Sequence, residues 1–338
     1  MKSSSPRAVA LRCTATLCAA FAAIASSPAQ SQDASSRPTP GDLVDALKTM
    51  AGDPPHARAN FAKGTCVVGQ YVPASTAARV TRSKSFTQRS DVVARFSVSS
   101  GNPHVADTNK GALRGLSMHL GPEGSRSDLL VENAPVHFAK DLAQMLASLK
   151  ARTPGPDGKV DPQKFKDFGA ANPEALNQAH FVGAKPLPGS WAGTFYWGVH
   201  AFPATNAKGQ TRYIKFKVVP AAGEITLNEE EAKTRPTDFL RAELEQRLSA
   251  APVRFDILAI LGKPGDQVVD TTQRWADEDS RATVRLGTLS ITGVAPDERC
   301  DGGIFNPANL ADGIGLPKDE IFAARAPAYA ISLGKRLN

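Results

Sequence analysis

The chain contains 338 residues, of which 41% are hydrophobic and 22% are charged. This is an ordinary globular composition, and it excludes general disorder, collagen and coiled coils. The formal net charge is +7, but three of the positive charges lie in residues 1–29 and the others are mixed with acidic residues, which argues against a nucleic-acid partner.

The N-terminal residues have the pattern of a secretory signal peptide. A positive segment, residues 2–12, precedes a short apolar run, residues 13–25, and small residues follow at a cleavage-like site. A membrane anchor is the alternative, but the run is shorter than the roughly 20 residues that a spanning helix needs, and no later stretch is long enough. We expect residues 1–29 to be removed and the chain to be exported, to the periplasm in a cell with two membranes.

Residues 30–40 are polar and contain two prolines, which predicts a disordered leader before a single domain at residues 41–338. Two of the four cysteines lie in the predicted signal peptide, so Cys66 and Cys300 remain in the mature chain. In an oxidising compartment they could pair, but two buried thiols are equally consistent with the sequence.

Periodicity predicts the elements of this domain in chain order. Apolar residues at helical spacing predict helices at residues 42–50, 135–150, 239–250 and 318–336. β-rich runs predict strands at residues 65–71, 92–98, 113–120, 191–202, 213–219, 252–261 and 282–294, with a surface loop at 153–162 and a hairpin turn at 205–210. This order predicts an α+β fold, in which one antiparallel β-barrel is surrounded by helices.

Common catalytic motifs are missing from the sequence. There is no dinucleotide or phosphate loop, serine elbow, CxxC or HExxH, and the six histidines lack zinc-site spacing. One pair remains of interest, because Arg325 and Tyr329 share a face of the last predicted helix. A cation beside a tyrosine favours the phenolate, a hard donor suited to ferric iron. An ordinary surface pair is the alternative.

Short motifs along residues 54–336 resemble those of catalases and follow the same order. Residues 58–64 (RANFAKG) resemble the catalase stretch R-x-x-H-A-K-G. The others are residues 94–97 (ARFS), 106–108 (ADT), 114–117 (RGLS), 128–138 (DLLVENAPVHF), 196–202 (YWGVHAF), 206–209 (NAKG), 213–216 (YIKF), 286–289 (LGTL) and the final R-x-x-x-Y. The chain is much shorter than a full catalase, so it is most similar to the small catalase-related peroxidases. The resemblance implies a catalase-like, haem-binding β-barrel, haem b with its iron, and peroxide chemistry.

The resemblance also implies roles for individual residues. Tyr329 would be the proximal iron ligand, and Arg325 would hold it deprotonated. Arg58 and Arg95 would pair with the haem propionates, although surface salt bridges are the alternative. On the opposite, distal side, the resemblance implies two further groups. Ser97 would supply a hydroxyl group, and Asn133 would lie near the position of the distal asparagine. The segment is one residue shorter here, so Glu132 is an alternative occupant of that position.

One departure from the family pattern bears directly on mechanism. Phe61 replaces the distal histidine, and phenylalanine can neither accept nor donate the proton that must move during peroxide cleavage. His137 stands where the family usually has phenylalanine, so it could substitute, with His56 a weaker candidate. A buried structural histidine is the alternative interpretation of His137.

Two other interpretations of the Phe61 departure stay open. The protein could be a weak haem peroxidase, which reduces hydrogen peroxide or organic peroxides with a small reducing substrate, without true catalase turnover. It could instead be a haem carrier or sensor, because a fold does not fix a function. A more distant possibility is a haem-free barrel that binds a small apolar molecule. The reducing substrate and the oligomeric state are left open.

Overall fold

The computed structural model describes residues 37–338, so the predicted signal peptide and residues 30–36 of the predicted leader lie outside it. The first helix begins at Pro40. The Thr39 side chain accepts a hydrogen bond from the Asp42 amide, and the Asp42 carboxylate accepts one from the Thr39 amide in return. This capping box, with proline at the first position, fixes where the helix begins.

The described part of the chain contains eleven strands and nine α-helices. The strands are β1 Lys63–Pro73, β2 Ser90–Val98, β3 Arg114–Leu120, β4 Ser127–Glu132, β5 Leu187–Pro188, β6 Tyr196–Trp197, β7 Phe202–Thr205, β8 Thr211–Pro220, β9 Thr226–Leu227, β10 Val253–Leu261 and β11 Thr283–Val294. The helices are α1 Pro40–Met50, α2 Lys84–Thr87, α3 Leu142–Arg152, α4 Pro162–Ala171, α5 Asn177–Gly183, α6 Glu229–Thr234, α7 Phe239–Ala250, α8 Glu298–Asp301 and α9 Glu320–Leu337.

Eight of the strands form a closed antiparallel barrel, as predicted. Their order is β10, β11, β1, β2, β3, β4, β6 and β8, and pairing between β8 and β10 closes the ring. Strand β7 adds to β8 as a ninth strand, and β5 pairs with β9 in a separate small sheet. Closure leaves no open edge along the ring, which protects its backbone groups from pairing with other chains.

The strands of the barrel alternate between a buried interior face and an outer face. In β2, Ala94, Phe96 and Val98 are buried in the main core. The Phe96 ring lies 6.0 Å from the ring of Phe255, which belongs to β10 on another side of the barrel. The rings therefore meet inside the barrel, and the intervening Arg95 and Ser97 project from its outer face.

Three helices pack together outside the barrel. Leu43 of α1, Leu142 of α3 and Ile321 of α9 belong to a second apolar cluster, separate from the core of the barrel. Within residues 37–338, no helix has the length and apolar character that a membrane span requires.

A disulfide bond joins Cys66 of β1 to Cys300 of α8, which answers the question that the sequence left open. Both residues are buried, and their Cα atoms are 5.7 Å apart. The bond attaches the short helix α8, and with it Asp301, to the outer face of the barrel.

Two predicted elements differ from the structure. The helix predicted at residues 135–150 begins only at Leu142, because Asp141 caps it by accepting a hydrogen bond from the Gln144 amide. The strand predicted at 191–202 contains only the short β6 and the first residue of β7. The segment before β6 turns instead, since the Trp191 carbonyl accepts hydrogen bonds from the Thr194 amide and the Tyr196 hydroxyl group.

Candidate active site

A cavity of about 230 Å³ lies between the outer face of the barrel and the helices that pack on it. Strands β2, β3 and β4 contribute one wall, and α1, α3 and α9 contribute the other. Ten polar or aromatic side chains of interest line it: Arg58, Phe61, Arg95, Ser97, Glu132, His137, His200, Arg325, Tyr329 and Arg336. A largely apolar cavity with a few convergent polar groups is typical of a ligand site.

A chain of hydrogen bonds runs from the start of α9 to Tyr329. Asp319 caps α9 through the Phe322 amide and contacts the Nδ1 atom of His200 at 3.0 Å. Arg325 lies 2.9 Å from the His200 Nε2 atom and donates to the Tyr329 hydroxyl oxygen at 3.1 Å. Because arginine only donates, His200 accepts at Nε2 and carries its proton on Nδ1, toward Asp319.

The charges and burial of the groups in this hydrogen-bonded chain keep a positive charge beside Tyr329. Burial alone would lower the pKa of Arg325, but the neighbouring Tyr329, Glu132 and Asp319 oxygens raise it overall. Burial lowers the pKa of His200, so the ring is neutral despite its contact with Asp319. The pKa of Asp319 is lowered in spite of burial, because His200 and the Phe322 amide stabilise its carboxylate. Arg325 is thus the cation, and its guanidinium group lies against the Tyr329 oxygen.

Three arginines meet at one end of the cavity. Arg58 donates to Asp301 at 2.7 Å, and Arg95 lies 3.9 Å from the same carboxylate. Arg336 of α9 donates to the backbone carbonyls of Asp301 and Gly303. Two guanidinium groups therefore share the Asp301 carboxylate, and the third binds backbone carbonyl oxygens beside it.

Some hydrogen-bond donors of this arginine cluster have no acceptor. The Nε atoms of Arg58 and Arg336 are buried without a hydrogen-bond partner. Burial, followed by repulsion from Arg58, lowers the pKa of Arg95 to about 10 and also lowers that of Arg336. A ligand with two carboxylates would satisfy these donors and relieve the repulsion, because charge-assisted bonds to arginine are strong.

The Phe61 ring packs against the outer face of the barrel, beside Gly115 of β3. A Cβ atom added to Gly115 would lie 3.0 Å from the Phe61 ring and 2.7 Å from the Ser97 hydroxyl oxygen. The backbone of Phe61 has φ of 52°, a left-handed conformation that is uncommon for a bulky residue. Its amide donates to the Asn60 side chain, and Arg95 donates to its carbonyl oxygen.

Glu132, and not Asn133, lines the cavity. Its carboxylate accepts a hydrogen bond of 2.8 Å from Gln178, which also donates to the Val136 carbonyl oxygen. The Asn133 side chain accepts from the Arg114 amide and lines a second, smaller pocket. Of the two positions that the sequence offered, the structure brings Glu132 together with Phe61, Ser97 and the tyrosine.

The two candidate replacement histidines have different surroundings. His137 lines the cavity, and its Nδ1 atom lies 3.0 Å from the Ala139 carbonyl oxygen. Burial lowers the pKa of His137 to about 4. His56 is not among the residues that line the cavity, and its ring contacts the Arg336 carbonyl oxygen.

Sequence reasoning gave no role to His200, Asp319, Gln178 or Arg336. Arg336 follows Tyr329 by seven residues, so helical spacing alone could have placed it on the same face. Asp319 precedes α9 as a typical cap residue, but its contact with His200 joins residues 119 apart in sequence. No local sequence pattern predicts a contact between residues so far apart in sequence.

Comparison with known proteins agrees with this architecture. The model of the family described as Catalase matches residues 42–338. A catalase-related peroxidase of Synechococcus elongatus is 35% identical over 303 residues, which cover 88% of each chain. A catalase-related peroxidase of Mycolicibacterium paratuberculosis is 32% identical, over 88% of this chain and 95% of its own.

Full-length catalases are longer. A catalase of Vibrio vulnificus is 27% identical over 85% of this chain but only 59% of its own. A solved bacterial catalase superimposes with a TM-score of 0.75 at 20% identity, over 88% of this chain and 60% of the other, and supports the fold. With its barrel, its cavity and its extensive similarity to these relatives, the chain belongs to the catalase family, as a catalase-related peroxidase and a peroxide-acting oxidoreductase.

Proposed function

We propose that this peroxidase binds haem b in the cavity, with the Tyr329 oxygen as the iron ligand. The observation that carries the proposal is the hydrogen-bonded chain from Asp319 through His200 and Arg325 to Tyr329. Such a chain holds a cation against a tyrosine oxygen inside an apolar cavity. Tyrosinate is a known haem ligand, and an adjacent arginine favours it.

The arginine cluster fits the other end of the cofactor. Arg58, Arg95 and Arg336 have more positive charge than Asp301 can balance, and two of their Nε donors lack a partner. Two propionates would supply the missing negative charge and acceptors. When bound, haem would supply the redox centre at which peroxide is cleaved.

Peroxide would be the substrate, either hydrogen peroxide or an organic peroxide, with a small molecule as electron donor. Phe61 stands in place of a distal histidine, so we expect little true catalase turnover. Ser97 and His137 line the cavity and would contact the substrate side, whereas the Asn133 side chain is held by the Arg114 amide and would act only indirectly.

A non-catalytic haem carrier or sensor is the second candidate, and the Phe61 ring is the observation that favours it. An apolar ring beside Ser97 offers no proton donor to a bound peroxide. The two candidates differ in one measurable respect, since a carrier would bind haem without reacting with peroxide.

We also propose that the protein is exported, because buried Cys66 and Cys300 form a disulfide bond of a kind that persists in oxidising compartments. Fractionation of cells that produce the full chain tests this. We expect the protein in the periplasmic fraction without residues 1–29. A cytoplasmic protein with an intact N-terminus would contradict export.

The haem assignment is tested by substituting Tyr329→Phe in the mature chain, purified with haem supplied. We expect a ferric tyrosinate-type absorption spectrum in the wild type and its loss in the variant. Tyr213→Phe is the matched control, because Tyr213 lies on β8 and is not among the cavity residues. A wild-type protein that binds no haem, or a spectrum that Tyr329→Phe leaves unchanged, would overturn the assignment.

A further inference from the structure

We propose that the Glu132 carboxyl group is the acid–base catalyst that moves the proton of peroxide in this cavity. The proposal rests on the haem peroxidase function above and names the group that performs the work of the missing histidine. It would make Glu132 a catalytic residue and Gln178 a positioning residue.

Glu132 belongs to a row of residues that crosses three neighbouring strands. Ser97 of β2 pairs with Gly115 of β3, and Gly115 pairs with Glu132 of β4. Residues paired directly across antiparallel strands project from the same face of a sheet, so Ser97 and Glu132 flank Gly115 on the cavity side. Two strand spacings separate their backbones by roughly 10 Å.

The Phe61 ring packs over the glycine in the middle of this row. It therefore lies beside the two polar side chains and gives the substrate position an apolar side. Among the polar residues of the row, Glu132 is the titratable one, since Ser97 does not ionise near neutral pH.

Gln178 of α5 fixes the position of the carboxylate. Its amide nitrogen donates to the Glu132 Oε1 atom and to the Val136 carbonyl oxygen, both at 2.8 Å. Because one amide group holds both the side chain and the following backbone, the carboxylate is anchored while it still faces the cavity. A fixed acid–base group at the substrate position is what proton transfer requires.

The electrostatic surroundings of Glu132 support the same role. Burial raises its pKa to about 7, although Arg325 of α9 and the hydrogen bond from Gln178 act in the opposite direction. A group with this pKa can both accept and return a proton near neutral pH. The other titratable or charged side chains that line the cavity are His137, His200, Tyr329 and the four arginines Arg58, Arg95, Arg325 and Arg336.

His137 is less suited to the task. With a pKa of about 4 it would hold a proton poorly between the two halves of the transfer. Its Nδ1 atom is also engaged by the backbone of Ala139. Glu132 has neither restriction. Its pKa is about 7, its carboxylate faces the cavity, and its second oxygen is not involved in the bond with Gln178.

The proposed step is a proton transfer coupled to bond cleavage. The Glu132 carboxylate accepts the proton from one peroxide oxygen, and the resulting carboxylic acid returns it to the other oxygen. The O–O bond breaks, and its electron pair leaves with that second oxygen as water, or as an alcohol from an organic peroxide. Over the full cycle, two electrons from the reducing substrate and two protons reduce hydrogen peroxide to two waters.

Cyanide binding tests the role without measuring turnover, because hydrogen cyanide must give its proton to a nearby base before it binds haem iron. In the haem-loaded mature chain, we expect Glu132→Gln to leave the ferric spectrum intact and to slow cyanide association by about 10²-fold. The pH profile of that rate should lose an ionisation near neutral pH. Peroxide reduction should slow in parallel. Glu123→Gln, at an exposed glutamate, is the matched control.

The outcomes separate the two proposals. A wild-type chain without a haem spectrum overturns the haem function itself. A normal spectrum in Glu132→Gln with unchanged cyanide association overturns only the role of Glu132, as does a loss of the ionisation in His137→Phe instead. If Glu132→Gln fails to bind haem, Glu132→Asp replaces it, since that variant keeps the carboxylate. It should keep the ionisation at a reduced rate, and its absence would also overturn the proposal.

Discussion

At the scale of single residues, Phe61 stands where the motif resemblance implies a histidine. Its ring approaches the Ser97 hydroxyl group across Gly115, and its backbone is in a left-handed conformation. Histidine adopts that conformation more readily than a bulky aromatic residue does. The backbone therefore suits the histidine that the motif resemblance implies at position 61.

This leads to a prediction for Phe61→His. An imidazole in the position of the ring would lie close to Ser97, which could orient it by a hydrogen bond. We expect the haem-loaded variant to decompose hydrogen peroxide about 10²-fold faster or more, measured as oxygen release. Phe61→Leu serves as the control, because it changes the ring without adding a base. No gain in the histidine variant would mean that the position no longer meets the substrate.

Glu132 also predicts a pH dependence of stability. Its pKa of about 7 in the folded chain exceeds the ordinary value of 4.5, chiefly through burial, so folding favours the protonated form. The contribution is present below about pH 4.5 and is lost as the pH rises through 7. Glu132→Gln should therefore gain up to about 3 kcal/mol over the wild type at pH 8 and little at pH 4. Urea unfolding at both pH values without haem measures this, and an equal effect at both would contradict it.

Residues near each other in sequence were predictable, and distant ones were not. Arg325 and Tyr329 are four residues apart on one helix, so their contact follows from helical geometry. His200 reaches Asp319 only because β7 and α9 are brought together by the fold. The choice of Glu132 over Asn133 depended on the register of β4 with β3, which residue type alone does not set.

At the scale of elements, α9 combines structure with chemistry at its first turn. Asp319 accepts a hydrogen bond from the Phe322 amide and another from His200. One carboxylate thus sets where the helix begins and anchors the chain of hydrogen bonds that ends at Tyr329. Its two tasks can be separated, because asparagine caps a helix about as well as aspartate does.

We expect Asp319→Asn to change the free energy of unfolding by less than about 1 kcal/mol, since the cap remains. It should nevertheless alter the ferric absorption spectrum, because the charge that orients His200 and Arg325 is lost. Asp319→Ala should do both, with an added cost of about 1 kcal/mol. Urea unfolding and absorption spectra of the two variants measure this. An unchanged spectrum in Asp319→Asn would reduce the residue to a helix cap.

Local sequence predicts most of the long elements but not the ten-residue helix α4. The helix at 239–250 matches α7, and most predicted strands lie within barrel strands because alternation marks a strand with two different faces. Strand β4 is represented in the sequence only by a motif, and the two-residue strands β5 and β9 are not predicted. Strands this short are defined only by their pairing partners, so their own residues carry no pattern that predicts them.

At the scale of the whole molecule, the disulfide bond connects two segments 234 residues apart in sequence. Such a bond restricts the unfolded chain and attaches α8 to the barrel. Because Arg58 donates to both the Cys300 carbonyl and Asp301, the same bond supports the arginine cluster of the cavity. Stability and ligand binding should therefore respond together.

Replacing both cysteines by alanine should lower the free energy of unfolding by about 2–5 kcal/mol. We also expect weaker haem binding, since Asp301 would no longer be held against Arg58. Urea unfolding and haem titration of the double variant measure the two effects. Substituting Arg82→Ala, which removes an exposed ion pair with Asp312 elsewhere, provides a comparison expected to change neither strongly. Full stability in the double variant would show that the bond is dispensable.

The barrel also separates the residues that stabilise the fold from the residues that line the cavity. Along β2, the inward side chains of Ala94, Phe96 and Val98 hold the barrel together, while the outward Arg95 and Ser97 face the cavity. Substitutions at the outward positions can therefore change the cavity chemistry and leave the core of the barrel unaltered. A library randomised at the outward positions of β2, β3 and β4, with Gly115 kept because a side chain there would collide with Ser97 and Phe61, should retain many folded proteins. Selection from it would sample new peroxides and donors and would spend little diversity on misfolded chains.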